Sequence, residues 1–212
     1  MNYLELINNC LLELNYKQVE SFTELVKNDH KKIMSILNII NQEICNTNNW
    51  NFLLRETTIT IPANATSIEN SIPGRILHIF IGNEKYNYKE DIEPFLKEEI
   101  QGNFYTEYND RLLFPKIKND TEARIIYYTK NSAITQDGTE KEEMTNQHDS
   151  SLIPMPFAQQ LLTYGTCLRV KANPSYVKFS YWLSMYKEAL ANLRSKTCIC
   201  AKNTPIVKLH RQ

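Results

Sequence analysis

The chain has 212 residues, 42% of them hydrophobic, enough to bury a sizeable core, since chains of this length remove roughly 70% of their surface from water. Its 24 Lys and Arg balance 24 Asp and Glu, which excludes a bulk electrostatic pull toward nucleic acid or acidic membranes and leaves little self-repulsion against association. Only 5 glycines leave few glycine-rich loops able to cradle phosphates, and no run approaches the roughly 18 apolar residues of a membrane span.

Residues 1–5 carry neither a basic nor an apolar stretch, so no signal peptide is expected. The 5 cysteines are scattered and odd in number, which suits free thiols in a reducing compartment. Leu4, Ile7, Leu11 and Leu14 recur at helical spacing and predict a first helix over 2–14, capped by Asn2. Ser21, Phe22, Thr23 and Glu24 form a capping-box pattern, in which hydroxyl and carboxylate satisfy reciprocal amides. The pattern opens a predicted long helix over 21–50 with a stripe of Phe22, Leu25 or Val26, Ile33, Ile36, Leu37, Ile40 and Ile44. Poor helix formers from Asn46 to Asn49 end it. Trp50 and Phe52 then read as core plugs.

Residues 57–61 alternate Thr and Ile and predict a strand, with residues 66–69 pairing back onto it as a small hairpin. Residues 75–81 are the strongest strand. Gly82 and Asn83 turn it into a partner over 84–88. A short helix is expected over 91–100, with Pro94 in its first turn and Gly102 beyond its end. Residues 104–108 and 111–115 form a second hairpin, and residues 121–130 a further strand rich in β-branched and aromatic side chains. Residues 131–153 are polar and read as a long loop, able to wrap a partner or to lie solvated. Residues 154–172 and 176–195 predict two antiparallel helices joined by Asn173, Pro174 and Ser175. The last helix has an expected stripe of Val177, Tyr181, Met185 or Tyr186, Leu190 and Leu193.

The fold class is therefore α+β: a four-helix bundle-like domain interrupted by a β-rich insert, plus an extended C-terminal tail. The parts are a helical segment over 1–56, the insert over 57–130, the long loop over 131–153, a second helical segment over 154–196, and the tail over 197–212. The tail alternates apolar residues, and Pro205, Ile206, Val207 and Leu209 are its candidate partner-contact residues. Such a segment suits strand addition to a neighbour's sheet edge, or packing on its own domain.

Candidate chemistry is sparse. His30, His78, His148 and His210 fall in different elements, and His30 reads as a satisfied structural histidine. Cys198, Cys200 and His210 supply three metal-ligand types without a fourth, at a spacing unlike common zinc sites. Glu90, Asp91 and Glu93 could serve a carboxylate-dependent hydrolase, but acidic residues also favour helix starts. Tyr105, Tyr108, Tyr127 and Tyr128 could stack single-stranded nucleic acid, although no basic cluster accompanies them. No phosphate-loop, dinucleotide, zincin or nucleophile-elbow motif is present. The reading is of a protein that is not an enzyme, with no cofactor and no metal.

The order of parts resembles the head-to-tail adaptor (connector) proteins of short-tailed bacteriophages. The resemblance spans about residues 3–195. It rests on Leu4, Ile7, Asn8, Leu11 and Leu14; then Glu43 and Ile44 before Trp50, Asn51 and Phe52; then the strand over 57–61; then Ile72, Pro73, Arg75 and Ile76. Later matches are Tyr127 and Tyr128, then Ile153, Pro154, Phe157, Tyr164 and Gly165, and a final helix with Tyr186, Lys187, Glu188, Ala189 and Leu190. The helix over 91–100 and the tail depart from the pattern. The resemblance implies a ring, typically of twelve copies, beneath the portal protein. That ring extends the DNA channel without sequence-specific binding and docks tail proteins such as a nozzle or fibre. It also implies a virion location after assembly in the bacterial cytoplasm, no membrane, and a C-terminal segment reaching the portal. A nucleic-acid-binding module using the tyrosines, or a carboxylate hydrolase, are the alternatives.

Overall fold

The computed structural model describes residues 1–197. It is a mixed α+β structure in which helices and a curled sheet each own a core. The helices are α1 (Tyr3–Glu13), α2 (Asn28–Thr47), the single-turn α3 (Glu93–Leu96), α4 (Phe157–Val170) and α5 (Phe179–Thr197). Asn2 caps α1 as expected: its side chain accepts from the Glu5 amide at 2.9 Å, and the Glu5 carboxylate accepts from the Asn2 amide at 2.8 Å.

Helix α4 packs against α1, α2 and α5. This explains why its buried residues, from Phe157 through Leu161, Leu162 and Gly165 to Cys167, cover more than one face. Gly165 sits where three helices crowd: a Cβ there would lie 3.0 Å from the Tyr186 ring and 3.3 Å from Ile40. Trp50 and Trp182 are fully buried. The Trp50 indole donates to the Ile44 carbonyl at 2.6 Å, closing the end of α2, and the Trp182 indole donates to the Glu13 carboxylate at 2.9 Å.

The main sheet has seven strands: β1 (Leu54–Ile61), β2 (Ser67–Glu69), β3 (Gly74–Ile81), β4 (Glu84–Tyr88), β5 (Phe104–Tyr108), β6 (Arg111–Leu113) and β7 (Thr121–Thr129). Their order is β1-β7-β3-β4-β5-β6-β2, antiparallel except for β4 beside β5. The two edge strands, β1 and β2, are consecutive in the chain. The short turn between them draws the sheet's ends together, so it curls around Ile61, Ile79, Ile81, Tyr105, Leu112, Phe114 and Ile125. Hydrogen bonds from Asn64 N–H to the Ile117 carbonyl (2.6 Å) and from Phe114 N–H to the Thr66 carbonyl (3.0 Å) tie that turn down.

Several expectations are corrected. The capping box at Ser21 is real, but it opens a single 3-10 turn, Phe22–Glu24, and not the long helix. Continuing that turn into α2 would lay Val26 one turn before the buried His30 on the inward stripe. Instead Val26 is 70% exposed while Leu25 turns inward. Residues 66–69 do not pair back on the first strand, because β2 joins β6. The helix expected over 91–100 is only the four residues of α3. The last helix starts at Phe179, so Val177 lies before it and is exposed; on α5 the buried line is Trp182, Ala189 and Leu193, with Tyr181 exposed. The bulky indole, not the tyrosine, takes the inward position.

The largest correction concerns residues 131–153. They form a three-stranded sheet of two-residue strands, β8 (Ala133–Ile134), β9 (Glu140–Lys141) and β10 (Ser150–Ser151), ordered β10-β8-β9. Ala133, Met144 and Ile153 enter the helical core.

Candidate partner interface

The polar face of α2 explains why residues 131–153 are held down. Asn38 exchanges two hydrogen bonds with the Met144 backbone, at 2.9 and 3.1 Å. Asn41, fully buried, donates to the carbonyl and hydroxyl of Ser132 at 2.9 and 3.0 Å and accepts from Ser151 Oγ at 2.6 Å. Every polar group of that asparagine-serine cluster is thereby satisfied, as burial requires. Asp149 anchors the far side. Its carboxylate accepts from the Thr145 and Asn146 amides at 2.6 and 2.5 Å and lies 2.5 Å from Lys141 Nζ. Burial alone would raise its pKa, but the two amides and the ammonium outweigh burial and hold it below the ordinary carboxylate range. The segment is therefore part of the body and not a free arm.

Exposed large apolar side chains collect elsewhere, around a cleft of about 270 Å³ between α1 and α4. Leu12, Pro156 and Tyr164 line it together with the polar Asn9, Glu13, Gln159, Gln160 and Thr163. Leu12 is 60% exposed, and Met155, beside Pro156 in the chain, 50%. Tyr164 meets Tyr181 of α5 edge to face at 5.7 Å, their hydroxyls 3.3 Å apart. Glu13 links this rim to α5 through Trp182 and through Lys178, whose ammonium donates to the Glu13 carbonyl at 2.8 Å. Leu12 and Glu13 come from α1, Tyr164 from α4 and Tyr181 and Trp182 from α5, while Met155 and Pro156 just precede α4 and Lys178 just precedes α5. Sequence reading missed Leu12 because it adjoins the buried Leu11 just off the stripe. It placed Tyr181 in the core.

The candidates read from the sequence fare unevenly. Pro205, Ile206, Val207 and Leu209 lie outside the described residues, as do Cys198, Cys200 and His210. No group of three potential metal-ligating residues occurs among the described residues. His30 is buried, but its Nδ1 has no hydrogen-bond partner, so it is not the satisfied histidine expected. Asp91 accepts from the Glu93 amide at 3.2 Å, and Glu93 pairs with Lys97 at 2.6 Å, so both serve α3 on the surface.

The four tyrosines split. Tyr105 and Tyr128 are buried in the two cores, Tyr127 is half-buried, and Tyr108 is exposed. Burial first, then the neighbouring Glu107 and Tyr88, push the Tyr105 phenol up to about 12. No helix among the described residues is long and apolar enough to cross a membrane. No protein-family model and no curated protein matches the chain.

Proposed function

We propose that this protein is a structural virion component, a head-to-tail adaptor that assembles as a ring, with twelve copies as the number the sequence resemblance implies. In this reading the helices form a four-helix bundle-like body whose side faces meet around the ring. The curled sheet projects as a docking arm for tail proteins. The ring sits under the portal protein and passes genomic DNA without reading its sequence, and a balanced charge suits a channel that must not grip its cargo.

The observation that carries the reading is the exposure of Leu12, Met155 and Tyr181 about the cleft between α1 and α4, where Tyr181 meets the half-buried Tyr164. Large apolar groups gathered on a soluble surface are the usual mark of a protein contact, and tyrosine and methionine are enriched at such contacts. In a closed ring each subunit repeats the same weak contact, and modest interface energy per copy suffices. Substituting Leu12→Glu together with Tyr181→Glu should leave the circular dichroism spectrum unchanged and abolish the high-mass species in mass photometry with the portal. Unchanged assembly by that double variant would show that this face is not the ring contact.

A further inference from the structure

The two edges of the main sheet are unlike. At one edge β2 has three residues, short enough to offer little to a passing strand. At the other, β1 has eight, and β7 is its one strand neighbour among the described residues. The register with β7 runs unbroken from Leu54 opposite Tyr128 to Ile61 opposite Thr121, with no bulge to twist the edge away. Alternate residues of such a strand turn their N–H and C=O away from the partner. Among the described residues no backbone hydrogen bond outside the β7 ladder reaches residues 55–61.

The side chains do nothing to close this edge. Arg55 is tied to Glu140 at 2.5 Å, and Glu56 reaches Arg124 at 3.8 Å. Past them come Thr57, Thr58, Ile59, Thr60 and Ile61, all β-branched, with no lysine or proline to discourage pairing. The strand is two-faced. Ile61 is buried in the sheet core and Ile59 packs against it, while Glu56, Thr58 and Thr60 are exposed. A strand added here needs the same alternation.

Residues 205–209 carry it in their sequence. On an extended chain Pro205, Val207 and Leu209 fall on one side, and Ile206 and Lys208 on the other. With Val207 and Leu209 turned inward they would extend the sheet core past Ile59, and Lys208 would join the outer face that carries Glu56. Pro205 has no amide to donate and suits the first position of a strand.

This segment reaches another copy more readily than its own sheet. Lys196 Nζ lies 5.6 Å over the Phe157 ring, so α5 ends beside the start of α4. The far end of α4 lies by the end of α2, where Arg169 pairs with Glu43. From there β1 leads away: Leu54 still packs on the helical core, and Ile61 lies in the sheet core. A returning segment would have to cover about 18 Å along α4 and then about 13 Å out along β1 to Thr58. The chain between Thr197 and Pro205 spans at most about 28 Å fully extended.

We propose that residues 205–209 of one copy add as a strand to the open β1 edge of a second copy, joined to it by main-chain hydrogen bonds. The inference needs no portal and no particular copy number, so it stands apart from the ring reading.

The test starts from isotopically labelled full-length protein carrying Val207→Asp and Leu209→Asp, which disables its own segment. Titration with unlabelled wild-type protein should shift the backbone amides of residues 56–60 saturably and slow the exchange of alternate ones by about tenfold or more. The unlabelled double variant should do neither. A synthetic peptide of residues 203–212 should reproduce the shifts on labelled wild-type protein and reverse any rise of its mass with concentration. The proposal is overturned if wild-type protein and peptide leave residues 56–60 unmoved, or if the double variant shifts them as well as the wild type does. It is equally overturned if their protection in wild-type protein persists on dilution to the monomer, which would put each segment on its own sheet.

Discussion

The helical body and the curled sheet are stabilised differently. The body is filled by Trp50, Trp182 and leucines, and is closed by a buried polar clamp from α2 to residues 131–153. The sheet has a smaller core built on Ile61, Ile76, Ile79, Ile81 and Ile125, with no comparable polar clamp described. The two meet at one end of the β1–β7 ladder, where Leu54 stands opposite Tyr128 and both pack against the helical core. Arg75 reinforces the joint: its guanidinium lies 5.5 Å from the Tyr128 ring centre and it donates to Asn49 just after α2. Two separate apolar cores, only one of them closed by a buried polar clamp, predict that the sheet opens at lower free energy than the helical body.

The comparison can be broken from the body first. Trp182→Ala should cost about 4 kcal/mol, through a cavity and the lost indole hydrogen bond to Glu13, and should unfold body and sheet together in a denaturant melt. Gly74→Ala strikes the joint. The new Cβ would lie 2.0 Å from the Tyr128 carbonyl oxygen, backbone against backbone, so β3 must separate from β7. A loss of roughly 3 kcal/mol is expected, with hydrogen exchange rising in the sheet before the helices.

Asp149→Asn should cost about 3 kcal/mol by leaving Lys141 unpaired, read as a lower melting temperature. The sign with pH follows from the depressed carboxyl. The stabilisation is fully present above the unfolded value, near 3.9 for aspartate, and is lost as pH falls through the lower folded value. The variant should therefore lose part of the wild-type acid sensitivity in that range. Ile79→Val should cost only about 1 kcal/mol and raise exchange in β3 and β7 alone. Equal acceleration in α2 would show that the two cores form a single cooperative unit.

Much of this division was legible in the sequence. The 3,4 spacing of Leu4, Ile7 and Leu11 and the turn at Gly82 and Asn83 are local signals, and local signals place helices and hairpins. The pairing of β2 with β6 was not legible, because it depends on curling that brings distant edges together. The β8–β10 segment was hidden for a different reason. Its strands are too short to show a period, and its polar residues face inward onto Asn38 and Asn41, where composition points to solvent. The capping box at Ser21 was read correctly as chemistry and wrongly as the start of α2. A cap satisfies a turn without dictating how far the helix continues. At the candidate interface, Leu12 and Tyr181 were missed because neighbouring residues, Leu11 and Trp182, take the buried positions.

The central claim is that the helical body is a ring subunit. The most direct test is the particle mass of this protein mixed with the portal protein, together with a search for it in purified virions. The account predicts a high-mass assembly with a defined copy number per portal and a stoichiometric band in the particle. A protein that stays monomeric beside the portal and is absent from virions would contradict it.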